Sequence, residues 1–177
     1  GLRINWSQLS GAVLTGLLGD GRFAVRQRAI EECSRRGASM LPQLQACLSS
    51  DQRLVRLGSV WTLARMVWRS DVSQAATDML RGTLQDPLPE IRQAACLGLS
   101  VSTAKVKSAW IAPLLDDADA GVRRQAATTG GILRMTKLIP QLLSALDRAG
   151  IDRSEEHAIV YALIEIADSA AVREAWD

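Results

Sequence analysis

The sequence holds one histidine, one tyrosine and one phenylalanine, and aromatic residues make up only 4% of it. With His157 alone, a two-histidine metal motif such as H-E-x-x-H cannot be built. Lysine occurs only at Lys105, Lys107 and Lys137, far behind arginine, and 21 basic against 19 acidic residues leave a net charge of +2. Such a balance gives no strong electrostatic footprint for nucleic acid or an acidic membrane surface. The three cysteines, Cys33, Cys47 and Cys96, are spaced by 14 and 49 residues, which matches no zinc or redox signature. Their odd number argues against a full disulfide framework. Each falls in an apolar helical pattern and reads as a buried small hydrophobe. No stretch reaches the ~18 apolar residues of a membrane span, and nothing alternates long enough to make a strand.

What is present is a repeat. A branched apolar residue followed by arginine recurs as Val25-Arg26, Val55-Arg56, Ile91-Arg92 and Val122-Arg123, with arginine spacings of 30, 36 and 31. A small residue stands three places after each arginine, at Ala29, Ser59, Ala95 and Ala126. An aspartate precedes each by five or six positions, at Asp20, Asp51, Asp86 and Asp117, and an apolar run precedes each aspartate. A period of this length marks stacked supersecondary units.

Each copy reads as two helices. The first carries the arginine, with apolar residues at i, i+3, i+4 and i+7. The second is shorter, as in "ASMLPQLQACL" and "TKLIPQLLSAL", where Pro42 and Pro140 suit a first helical turn. The pattern predicts a lone helix at 4–18, then pairs at 22–36/38–49, 52–69/71–84, 88–100/104–115, 119–134/136–148 and 154–168/170–177. Such pairs bury their apolar faces only by stacking on neighbours. The expected fold is therefore an all-α superhelix, or solenoid, of about five helix pairs. The chain opens on "GLRINW" and stops at "VREAWD" inside a helical pattern. Residues 1–177 are accordingly expected to form a single repeat domain, a segment of a longer protein.

The motif D-x-x-x-x-V-R-x-x-A, recurring near every thirty residues, resembles HEAT repeats of the short bacterial type. The resemblance covers residues 17–146 and implies a ladder of hydrogen bonds between adjacent repeats. Its members would be Asp20, Asp51, Asp86 and Asp117 with Arg26, Arg56, Arg92 and Arg123. The fifth pair, "SEEHAIVYALIEIAD", departs by lacking the arginine. More narrowly, "GRFAVRQRA", "VWTLAR" and "EHAIVYALIEIAD" resemble the HEAT region of large bacterial proteins that join a dehydrogenase-like propeller to a c-type haem domain. That resemblance would make the segment a periplasmic spacer. The chain itself has no C-x-x-C-H, and no cofactor or metal is expected.

Several groups could carry chemistry, and each has a plainer use. Asp86, Glu90 and Arg92 look catalytic in isolation, but beside the sister copies they mark a helix-pair boundary, with Glu90 a first-turn acid. Glu155 and Glu156 suit the positive end of a helix dipole, with Ser154 as the expected N-cap. Glu156 and His157 are adjacent and point apart on that helix. Trp61 and Trp68 lie seven apart, with Thr62, Arg65 and Arg69 marking a polar side. They read as packing between repeats or, with Arg65, as a binding patch. Arginines and glutamates of "RFAVRQRAIEECSRRG" alternate at i,i+4 and read as a solvated face. In HEAT solenoids second helices line the concave side, which would present Asp78, Arg81, Lys105, Lys107 and Lys137 to a partner. Gly130-Gly131 reads as permitting close helix contact.

The expected function is a non-catalytic scaffold that binds a protein partner or neighbouring domains of the same chain. The alternatives are a HEAT-like nucleic-acid binder or base-excision enzyme, which would need a denser cationic groove, and a tetrapyrrole-handling accessory protein, for which no reactive cysteine speaks.

Overall fold

A computed structural model describes residues 4–166 and 173–174. Among them the chain is helical, without strands. The helices are α1 (Gly11–Leu17), α2 (Phe23–Arg36), α3 (Leu41–Cys47), α4 (Arg53–Met66), α5 (Ser73–Gly82), α6 (Pro89–Ser100), α7 (Ser108–Ile111), α8 (Ala120–Ile132), α9 (Ile139–Leu146) and α10 (Arg153–Ile166). The longer helices α2, α4, α6, α8 and α10 stack in order as one layer. The shorter helices α1, α3, α5, α7 and α9 form the second. This is the solenoid expected from the repeat: four complete pairs, preceded by α1 and followed by α10. The helix expected at 170–177, with Trp176, lies outside the described residues except for Arg173 and Glu174.

Boundaries differ from expectation where a side chain competes for the backbone. The lone helix at 4–18 is instead a 3-10 turn at Trp6–Gln8 followed by α1. Ser10 causes the break: its hydroxyl accepts the Val13 N–H at 3.2 Å and starts a new helix. The second helix of the third pair begins at Ser108 rather than 104. Before it, Thr103 donates to the Val67 carbonyl at 2.9 Å, and the Ser102 hydroxyl meets Thr77 at 2.6 Å. Hydroxyls bound in this way hold the segment as a loop.

A single apolar core runs between the layers, through Leu14, Ile30, Leu44, Leu63, Leu80, Ile91, Leu99, Ile111, Leu138 and Ile159. Cys33 and Cys96 belong to it, and Cys47 is half-buried. Burial pushes the Cys33 thiol up to about 11 and Cys96 to about 12, so neither is an available thiolate. Pro42, Pro89 and Pro140 all sit in first helical turns, where the missing N–H has no partner to lose. Gly131 sets the approach of α8 to α10: a Cβ there would stand 2.7 Å from the Ala162 backbone.

Candidate functional site

Each junction between long helices is built from a turn and an arginine, and all but the α2–α4 junction add an acid. In the turn, a side-chain oxygen accepts the N–H two residues on: Asp20 from Arg22, Ser50 from Gln52, Asp86 from Leu88 and Asp117 from Asp119. The arginine six positions after the turn residue then reaches back. Arg26, Arg92 and Arg123 each donate to two main-chain carbonyls of their own turn.

From Arg56 onward the guanidinium also reaches forward to an acid of the next repeat, and these contacts strengthen along the chain. At the α2–α4 junction Arg26 meets no acid. The expected rung to Asp51 is absent because Ser50, not Asp51, holds the ladder position, and Asp51 lies exposed. A serine hydroxyl cannot accept a guanidinium fork. At the next junction Arg56 lies 3.4 Å from Asp86, with its Nε buried and unpartnered. Arg92 grips Asp117 with two parallel bonds, of 2.8 and 2.6 Å. Arg123 does the same at 2.7 and 2.6 Å, but its acid is Glu155 in α10, whose place in the sequence marks it only as a helix-dipole acid. Arg148 adds a 2.6 Å bond to Glu155 and ties it to the Leu115 carbonyl and Asp116. The Glu155 side chain is 1% exposed.

Burial raises the Asp117 pKa, but the Arg92 fork and the Asp119 N–H outweigh it and hold the carboxyl below its usual range. Asp20 has no arginine from another repeat; its own neighbour Arg22 holds it, largely by the side-chain bonds, at about 2. Asp152, rather than Ser154, caps α10, accepting the Glu155 N–H at 2.8 Å. Glu90 pairs with Arg53 across the α4–α6 junction.

The outer side of the long-helix layer has a different character. Thr62, expected on the polar side of α4, is fully buried and donates to the Gly58 carbonyl at 2.7 Å. The helix is thus rotated so that Trp61 is 36% and Trp68 67% exposed, rather than sealed between repeats. They line a groove of about 650 Å³ with Gln27 and Ile30 of α2, Arg65 of α4 and Leu97 of α6. Phe23, Leu97, Val101, Ile132, Val160, Tyr161 and Ile164 are also exposed, all in this layer or at its helix ends. The alternation of single large apolar residues with buried small ones (Gly58, Ser59, Thr62) is the one sequence signal that marks this rotation.

The other expected partner-binding residues belong to the short-helix layer. Arg81 lies 4.8 Å and Lys107 5.9 Å from the Trp110 ring centre, so the two converge on one indole. Asp78 accepts from Gln74, and Lys105 and Lys137 are exposed. None of these joins Trp61, Arg65 and Trp68. In α2, Glu32 gathers Arg35 and Arg36 at 2.7 and 2.9 Å, while Arg28 turns to Glu31. His157 is exposed, with its ring 4.6 Å from Tyr161. No three metal-binding side chains come together among the described residues, and none of the described helices is long and apolar enough to cross a membrane.

Comparison with known proteins agrees with this architecture. A crystal structure of an engineered protein superposes with a TM-score of 0.56 over 92% of this chain and 88% of that one, at 17% identity, a likeness of fold alone. No curated protein matches the sequence. None of the comparisons supports the narrower resemblance to dehydrogenase and c-type haem proteins. The family model for HEAT repeats matches residues 11–100, just over half of the chain, and the protein belongs to the HEAT-repeat family.

Proposed function

We propose that this HEAT-repeat chain is a non-catalytic interaction module that engages a protein partner, or a neighbouring domain of its own chain, through the long-helix face around Trp61, Arg65 and Trp68. One observation carries the reading: among the described residues, nine of the eleven exposed large apolar side chains belong to the long-helix layer or its helix ends. Four of them, Trp61, Trp68, Leu97 and Val101, line one groove; clustered exposed apolar surface marks interaction sites, and Trp and Arg are enriched among the residues that dominate interface energies. The polar groups that could do chemistry are otherwise employed. Asp117 and Glu155 are held by ladder arginines, and Glu32 neutralises arginines of α2. The same pairing takes the ladder and α2 arginines away from phosphates, and a net charge of +2 adds little general attraction for nucleic acid.

The test is co-purification from the source cells with quantitative mass spectrometry. A partner retained by the wild type and by Arg81→Glu, but lost from a Trp61→Ala/Trp68→Ala double variant, supports this face. Loss with Arg81→Glu alone would move binding to the short-helix layer. Retention by every variant would sink the proposal.

A further inference from the structure

We propose that the groove between α2, α4 and α6 receives a short amphipathic peptide segment whose apolar side chains lie on Trp61 and Trp68 and whose carboxylate pairs with Arg65. The inference rests on the interaction-module reading and adds the chemistry of the partner.

Charge carries it. The groove is lined by Gln27, Trp61, Arg65, Trp68, Leu97 and smaller apolar residues, with one cation and no carboxylate among them. The arginines on α2, α4, α6 and α8 are otherwise all employed. Arg26 binds carbonyls, and Arg28, Arg35, Arg36, Arg53, Arg56, Arg92, Arg123 and Arg124 have acid partners. Arg65 alone in this set has no hydrogen bond or ion pair among the described residues; in the same layer only Arg153, the exposed first residue of α10 and outside the groove, shares this. A planar fork beside two indoles, with its own charge unanswered, matches a carboxylate flanked by apolar groups.

Shape decides between a peptide and a small carboxylate amphiphile. Enclosed ligand sites bury roughly 70–90% or more of a small molecule, whereas this groove lies on the surface, with its Trp61 and Trp68 walls themselves 36% and 67% exposed. An open trough between stacked helices suits a segment that is itself part of a larger surface, laid in as an amphipathic helix or strip.

The experiment is selection from a phage library of random twelve-residue peptides on the purified protein, followed by anisotropy with labelled synthetic winners. The expected winners carry Asp or Glu flanked by Leu, Phe or Trp. They lose at least tenfold in affinity for Arg65→Glu and for Trp61→Ala. A winner with its acid changed to Lys regains affinity for Arg65→Glu, a charge swap that general loss of structure could not produce. Arg65 is exposed and has no ion pair among the described residues, so its variants should stay folded, with Arg65→Glu melting slightly below the wild type because it puts an anion in the last turn of α4. Winners without acids, or an empty selection, would overturn the inference. Winners indifferent to both substitutions would overturn this groove while leaving the module reading in place. Dodecanoate serves as the competing probe: saturable, Arg65-dependent binding of it with no enriched peptide would replace the peptide by an amphiphile.

Discussion

Arg92 holds Asp117 through two bonds, of 2.8 and 2.6 Å, while its remaining nitrogen closes on the Asp86 carbonyl at 2.8 Å. One side chain therefore fixes the turn of its own repeat and the entry of the next. Their side chains are only 14% and 10% exposed, so removing either leaves the other partly buried and uncompensated. Arg92→Ala should lower stability by about 2–4 kcal/mol, read as a shift of the urea midpoint. Arg26→Ala, which breaks no ion pair, should cost clearly less. Equal losses would show that the forward contact contributes nothing.

Ser50 offers the opposite experiment. It already caps Gln52 as the ladder aspartates cap their turns, and it lacks only the carboxylate that Arg26 could grip. Ser50→Asp should raise stability by about 0.5–1 kcal/mol, the scale of a partly exposed charged pair. The gain should vanish in an Arg26→Ala background, as a double-mutant cycle would report. A gain that survives there would belong to the cap, not to a new rung.

Two glycines in helices should respond with opposite signs. Gly16 in α1 has open space where a methyl would stand, so Gly16→Ala should stabilise by about 0.5–1 kcal/mol through helix propensity. Gly131→Val would drive a side chain into the Ala162 backbone 2.7 Å away and should destabilise by about 2 kcal/mol or more. Calorimetry of both variants checks the contact; a neutral Gly131→Val would mean that α8 and α10 can move apart freely.

Acid should loosen the chain in a defined window. The Arg35 bond, with that of Arg36, brings Glu32 down to about 2 against the pull of burial, and Asp117 is lowered as well. Carboxylates depressed on folding contribute stability that is complete above their unfolded pKa, about 4. It is lost as pH falls toward the folded values. The melting temperature should hold steady from about pH 7 to 5 and drop between about pH 4 and 2, with Glu32→Gln showing a shallower drop. A decline already complete at about pH 5 would contradict this assignment.

The sequence made the repeat legible because a ladder arginine, a small residue three places on and an acid upstream recur together. It misplaced one rung because Asp51 neighbours the true position: the spacing of five rather than six to Arg56 marked the shift, but nothing in the spacing said that Ser50 forms the turn instead. Glu155 was not legible as a rung because it sits inside α10 rather than in the turn, so no spacing rule reaches it. The tryptophan patch was half legible. Trp61 and Trp68 stood out by type and spacing, but their exposure depends on how Gly58 seats against Leu18, which only packing decides.

The uneven rungs have a mechanical consequence. From no acid at Arg26, through one long contact at Arg56, to forks at Arg92 and Arg123 with Arg148 behind, the rungs strengthen toward α10, while the first two joints are tied besides by Arg69 on the Ser34 and Arg35 carbonyls and by Arg53 on Glu90. The ladder therefore predicts a spring of graded stiffness. Under tension, or in the brief openings that let amides exchange with solvent, it should yield first between α2 and α4. The firm end stays shaped while the soft end adjusts its curvature, and the groove around Trp61 and Trp68 straddles that softer stretch.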